Sequence, residues 1–102
     1  MKPAVSDAAL ERAAGLFRAA GDVSRLRLIA YLAAHGATCV TDLAAAEDEE
    51  LSTISQRLRV LRNEGLVTRT RDGKRIRYQL ADQHVIELVF NALAHSTEDR
   101  RR

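Results

Sequence analysis

A strong helix followed at once by a strong hairpin restricts the folds open to this chain more than any other feature. "STISQRLRVLRNEG", Ser52 to Gly65, places Ile54, Leu58 and Leu61 on one helical face and ends on glycine. "LVTRTRDGKRIRYQL" follows directly, with Asp72-Gly73 at its centre as a hairpin turn signal. Before the turn Val67 alternates with Thr68 and Arg69. After it Ile76, Tyr78 and Leu80 alternate with Arg75, Arg77 and Gln79. The spacing predicts a half-buried two-stranded ribbon with a basic tip and a basic outer face.

Upstream the pattern is helical. Ser6 or Asp7 can cap a first helix that runs to about Ala20 and stops at Gly21, with Leu10, Ala13, Ala14 and Phe17 as its apolar stripe. A second helix is expected from about Ser24 to Ala34, burying Leu26, Ile29, Ala30 and Ala33, with Gly36 at a left-handed cap. Thr38 opens a short third helix, "TCVTDLAAA", and "EDEEL" interrupts it before Ser52 caps the fourth. Two short helices around a tight connection form a helix-turn-helix pattern, and a hairpin after it is a wing. A last helix begins near Asp82, and "DRRR" reads as a frayed tail. The expected fold is mainly α with a β-hairpin: a winged helix-turn-helix of about five helices in one domain, residues 1–102.

Chain size and charge then bound what such a domain does. At 102 residues the core is limited, so a dimer would help it, and the first and last helices, which the reading motif does not use, are the expected homodimer interface. Net charge is only +2, yet a large share of the 16 Lys and Arg falls between Arg57 and Arg77, while acid concentrates in "EDEE", Glu47 to Glu50. A basic stripe on a nearly neutral domain is the footprint of a nucleic-acid surface, with a solvated charged face as the alternative. The single cysteine, Cys39, excludes an internal disulfide and any multi-cysteine zinc cluster. No stretch resembles a signal peptide or approaches the roughly 18 apolar residues of a membrane span, so a cytoplasmic location and no membrane partner are expected.

A helix fits the major groove of double-stranded DNA, where short polar side chains near its start reach base edges. Those here are Ser52, Thr53, Ser55 and Gln56, and Gln56 has the geometry to bond adenine bidentately. Arg59, Arg62, Arg69, Arg71, Lys74, Arg75 and Arg77 are candidates for phosphate contacts, which position a protein without reading sequence. One module of this kind buries roughly 600–1,000 Å² on DNA, which favours a C2 dimer on a palindromic operator.

Two of the three histidines interrupt the last apolar helix, His84 and His95, each near a carboxylate. Eleven residues separate them, about 1,100° of helical rotation, so they share one face. Their rise of roughly 16.5 Å is too long for one metal ion. Asp82/His84 and His95/Glu98 are therefore two half-sites. Two such helices packed antiparallel across a dimer axis would complete two sites, each with two imidazoles and two carboxylates. That donor set suits Zn(II), with Co(II) as its chemical mimic. The alternative is a pair of surface histidines near helix ends, with Asp82 only a cap.

With these motifs in view the chain resembles the ArsR/SmtB family of metal-sensing transcriptional repressors, from "GDVSRLRLIAYLA" to its end. "CVTDLA" is similar to the family's third-helix motif, "LSTISQRLRVLRNEGLV" to its recognition helix and "RDGKRIRYQL" to its wing. The family's zinc-sensing pattern is Asp-x-His, ten residues, then His-x-x-Glu or His-x-x-His, and Asp82, His84, His95 and Glu98 fill it without a gap. The resemblance implies a homodimeric repressor that holds operator DNA when metal-free and leaves it when Zn(II) binds between the C-terminal helices. It also implies no enzyme activity and no organic small-molecule substrate.

Departures from the family keep other readings in view. Thiolate-sensing members carry a second cysteine in the third-helix motif, where Thr41 stands, or one near the N-terminus, where the first 38 residues have none. Cys39 then reads as a small buried residue. A sensor of Co(II) or Ni(II) would want more than four ligands, and the tail offers no further histidine. A metal-independent repressor, or a redox-responsive one using Cys39, is the remaining reading within the class. Against an enzyme, the chain lacks a nucleophile elbow, a phosphate loop and an open zinc motif. His35, before Gly36, reads as a cation or cap at a helix C-terminus.

Overall fold

The computed structural model describes residues 4–98. The elements follow in the order α1 (Asp7–Ala20), α2 (Val23–His35), β1 (Thr38–Cys39), α3 (Val40–Glu47), α4 (Leu51–Asn63), β2 (Val67–Asp72), β3 (Arg75–Leu80) and α5 (Gln83–Ser96). The tail "DRRR" lies outside the described residues.

Capping explains most of the helix boundaries. Ser6 accepts a hydrogen bond from the Ala9 N–H at 3.1 Å and Asp22 accepts one from Arg25 at 3.0 Å, so short polar side chains open α1 and α2. Arg25 also closes the helix before it, donating to the Ala19 carbonyl at 2.7 Å and to that of Arg18 at 3.3 Å. At the end of α4, Gly65 takes φ +77° and the Leu66 N–H returns to the Leu61 carbonyl at 2.9 Å. Asp82 is extended and caps α5 through the Val85 N–H at 3.1 Å.

The fold of five helices around a winged helix-turn-helix stands as expected, with local corrections. Thr38 and Cys39 are not helical. They form β1, antiparallel to β3 with Thr38 opposite Tyr78, and the ribbon becomes a three-stranded sheet of order β1-β3-β2. A strand-to-strand pairing across about forty residues leaves no local trace, and "TCV" is β-branched enough to accept it. The cap of α4 lies two residues earlier than expected, with Glu50 at the N-cap and no side-chain bond there, so Ser52 lies in the first turn rather than at the cap. The hairpin turn is Gly73-Lys74, with Asp72 paired to Arg75 as the last rung and Gly73 at φ +64°.

Leu28, Ile29, Leu43, Ile54, Leu58, Leu61, Leu66 and Val67 are the largest fully buried side chains. They join α2, α3, α4 and the base of the wing into one core, each contributing roughly 1.5–3 kcal/mol. Leu28 and Leu32 replace Leu26, Ala30 and Ala33 as the buried face of α2 beside Ile29. The α1 stripe is also displaced. Gly15 and Ala19 are buried, whereas Leu10, Ala13, Ala14 and Phe17 face outward.

Candidate DNA interface and metal half-sites

With Ile54, Leu58 and Leu61 anchored inward, the remaining positions of α4 sort by angle. Ser52, Ser55, Gln56 and Arg59 follow i, i+3, i+4 and i+7 spacing and are all exposed, forming one polar stripe away from the core. Thr53 does not join it. It is half-buried on the flank, in line with Arg57 and Val60.

Register decides where the wing cations go. Residues directly opposite in an antiparallel pair lie on the same face. Val67, Arg69 and Arg71 oppose Leu80, Tyr78 and Ile76, whereas Thr68, Thr70 and Asp72 oppose Gln79, Arg77 and Arg75. Arg69 and Arg71 therefore continue the core-side face past its buried base, and Arg75 and Arg77 occupy the other face. The single basic outer face of the sequence reading is thus two basic faces on one ribbon. Arg77 donates to Asp72 at 3.0 Å, and Arg75 reaches the Cys39 sulfur at 3.9 Å. Arg59, Arg69, Arg71 and Lys74 are exposed, with no ion pair among the described residues.

Two of the four acids at the turn before α4 meet an arginine, one from each side. Asp48 takes the left-handed conformation at φ 52°. Arg57 donates to Glu49 at 3.0 Å, and Arg27 of α2 lies 3.6 Å from Glu47. Acid-rich composition revealed the turn but not its partners, which sit eight and twenty residues away.

On α5, Val85 and Val89 face the core and the opposite stripe carries His84, Leu88 and His95. His84 Nδ1 lies 3.5 Å from Asp82 Oδ1, and His95 Nδ1 lies 3.9 Å from Glu98 Oε1. Both imidazoles are open, with side chains 94% and 85% exposed. The cap bond to Val85 orients the Asp82 carboxylate and uses only part of its acceptor capacity. The structure thus pairs each histidine with its acid but does not bring the two pairs together. Among the described residues no three His, Cys, Asp or Glu side chains gather as a metal site. Each end of α5 offers one imidazole nitrogen and one carboxylate, a set that fits Zn(II) once a second such pair is supplied.

Large apolar side chains of α1 and α5 stand in the open. Leu10 and Phe17 on α1 are 56% and 59% exposed, and Leu88 and Phe90 on α5 are 38% and 48% exposed. An apolar groove of 180 Å³ runs between the helices, lined by Phe17, Leu26, Leu88 and Ala92 among others.

The other two candidates, Cys39 and His35, lie against neighbours of their own segments. Cys39 is buried and lies 3.2 Å from the Thr41 hydroxyl. His35 approaches the Tyr31 carbonyl at 3.0 Å and stacks on the Tyr31 ring, closing the last turn of α2.

Residues 22–69 match the model of the bacterial regulatory protein arsR family. The chain is 45% identical over 94 residues to the transcriptional regulator NmtR of Mycobacterium tuberculosis, covering 92% of this chain and 77% of that one. It is 42% identical over 88 residues to a Synechocystis homolog of the transcriptional repressor SmtB, covering 86% of this chain and 66% of the relative. Its fold superposes with TM-score 0.83 and 28% identity on a homodimeric winged helix-turn-helix DNA-binding domain from Mycobacterium bovis, a possible ArsR-family regulator. That match covers 99% of this chain and 97% of that domain. No helix among the described residues is long and apolar enough to cross a membrane. On fold, sequence and family model together, this chain belongs to the ArsR/SmtB family of DNA-binding transcriptional regulators.

Proposed function

We propose that this chain is a metal-responsive transcriptional repressor that binds operator DNA as a homodimer and releases it when Zn(II) is held between the C-terminal helices. The observation that carries the reading is the pairing on α5: His84 with Asp82 and His95 with Glu98, all solvent-facing, at opposite ends of one helix. Asp82 and His84 of one chain and His95 and Glu98 of its partner would hold the ion. When bound, the metal supplies a cross-link that favours whichever dimer arrangement satisfies both donor pairs. Exposed Leu10, Phe17, Leu88 and Phe90 supply the apolar surface for that dimer.

The DNA side divides by role. Ser52, Ser55 and Gln56 read base edges, with Thr53 at the margin of the stripe, and Arg59 begins the phosphate contacts. Arg69 and Arg71 on one face of the wing, with Arg75 and Arg77 on the other and Lys74 at the tip, meet the two backbones that border a groove. The dimer must have two arrangements, and the one that binds metal must space its two α4 helices poorly for DNA. A coupling of about 1–3 kcal/mol per linked equilibrium is typical.

A titration of the DNA-bound protein with Zn(II), Co(II) and Ni(II), followed by fluorescence anisotropy, tests this. Release by Zn(II), with a tetrahedral Co(II) spectrum lacking thiolate charge transfer, is expected. Release that survives His95→Ala and disappears in Cys39→Ser would move the sensor to α3 and sink the α5 assignment.

A further inference from the structure

Arg57 lies on the reading helix yet points away from its exposed stripe, and the acidic turn beside it explains why. We infer that Glu49 is a specificity-determining residue, which holds Arg57 off the DNA backbone and so lowers affinity for DNA of any sequence. The inference rests on α4 being the DNA-reading helix.

The geometry is local. Glu49 Oε2 accepts from Arg57 NH2 at 3.0 Å, and the Arg57 side chain is only 21% exposed. Arg57 shares the α4 flank of Thr53 and Val60, next to the stripe of Ser52, Ser55, Gln56 and Arg59. The turn from Asp48 to Glu50 precedes the N-terminus of α4, the end of a reading helix that approaches base edges. A carboxylate there repels phosphate unless a cation neutralises it, and a free arginine there would bind phosphate of any sequence. Joined, the two are electrically quiet. A phosphate pulling Arg57 away would leave Glu49 unpaired against the same backbone, so DNA gains little by breaking the pair.

The consequence is for the ratio of specific to non-specific binding. Phosphate contacts supply nearly all sequence-independent affinity. A regulator must find its operator among a great excess of other sites, so the ratio counts more than the affinity. Withholding one cation lowers the background while leaving the base-reading stripe intact.

The test is the salt dependence of binding to a duplex of random sequence. Wild type is compared with Glu49→Gln, Glu50→Gln and the double variant Glu49→Gln/Arg57→Gln. Glu50 neighbours Glu49 and has no ion pair among the described residues, so Glu50→Gln reports the bare loss of one negative charge. Glu49→Gln should free Arg57 for phosphate and steepen the log–log salt slope by about 0.9. Between about 50 and about 200 mM salt its affinity should fall roughly 3.5-fold further than that of wild type. Glu50→Gln should steepen the slope by less, and the double variant should return to the wild-type slope. An equal effect of Glu49→Gln and Glu50→Gln overturns the inference, as does a Glu49→Gln slope no steeper than wild type. So does a double variant shallower than wild type by about 0.9, because Arg57 would then already touch phosphate. Wild type that shows no salt-dependent binding to any duplex would instead overturn the DNA-reading assignment itself.

Discussion

Helices α4 and α5 bury themselves alike and end with opposite kinds of free surface. α4 turns Ile54, Leu58 and Leu61 inward, and α5 turns Val85 and Val89 inward with Ile86 and Leu93 half-buried. Away from the core α4 shows Ser52, Ser55, Gln56 and Arg59, a polar stripe that one chain completes. The free side of α5 is unfinished in two respects. It leaves Leu88 in the open beside the histidines, with Phe90 exposed on another face of the same helix, and it gives each histidine one acidic neighbour among the described residues. One rule, burial of one helical face, thus produces a finished polar surface in one place and, in the other, a partly apolar surface that carries two histidine–acid pairs. A helix whose spare face carries large apolar groups is reserved for a partner.

The comparison breaks most visibly at Leu88. Leu88→Glu should weaken dimer association by about 3–5 kcal/mol, because an unpaired charge would be buried in an apolar interface. Analytical ultracentrifugation reads this directly. Unchanged association would show that the free side of α5 is not the interface.

Next in size is the metal response. His95→Ala should lower zinc affinity at least about 100-fold, since even groups that merely support a ligand cost about 10–100-fold when removed. Operator affinity of the metal-free protein should stay at the wild-type value, because α4 and the wing are untouched. Mixing His84→Ala with His95→Ala subunits should restore one intact site per heterodimer. If subunits exchange and no tight zinc site returns, the ligands are not shared between chains.

A smaller effect is expected at the finished surface. Gln56→Ala should cost roughly 1–3 kcal/mol of discrimination at one base pair, measured by competition among operator variants. Leu58→Ala, by contrast, should cost about 2–5 kcal/mol of folding stability in thermal melts, because its pocket lies in the core.

The smallest changes sharpen the view of the wing. Arg69→Ala and Arg75→Ala, on opposite faces of the ribbon, should each reduce the salt slope by about 0.9. If only one of them does so, a single face of the wing meets the duplex.

The amphipathic period and turn chemistry carry most of the architecture within the sequence. Ile54, Leu58 and Leu61, the stop at Gly65 and the hairpin around Gly73 are local features, so their consequences could be read without neighbours. The Asp82/His84 and His95/Glu98 pairs were legible for the same reason, since helical spacing alone puts each acid near its histidine. The α1 stripe of Leu10 and Phe17 was legible as apolar, but periodicity cannot say whether such a stripe meets its own core or another chain.

What the sequence by itself determined, then, is much of what depends on residues within a few helical turns: the helices, the hairpin, most of the polar stripe of α4 and the placing of an acid beside each histidine of α5. What only the tertiary structure decided depends on distant partners. Thr38 and Cys39 are drawn into a strand by β3, and the wing register divides Arg69 and Arg71 from Arg75 and Arg77. The Arg25 side chain closes α1, and Arg57 is tied to Glu49 across the turn. The physical reason is the same throughout. A backbone period is a local property of one segment, whereas a strand pairing or an ion pair between elements exists only after packing has set their relative positions.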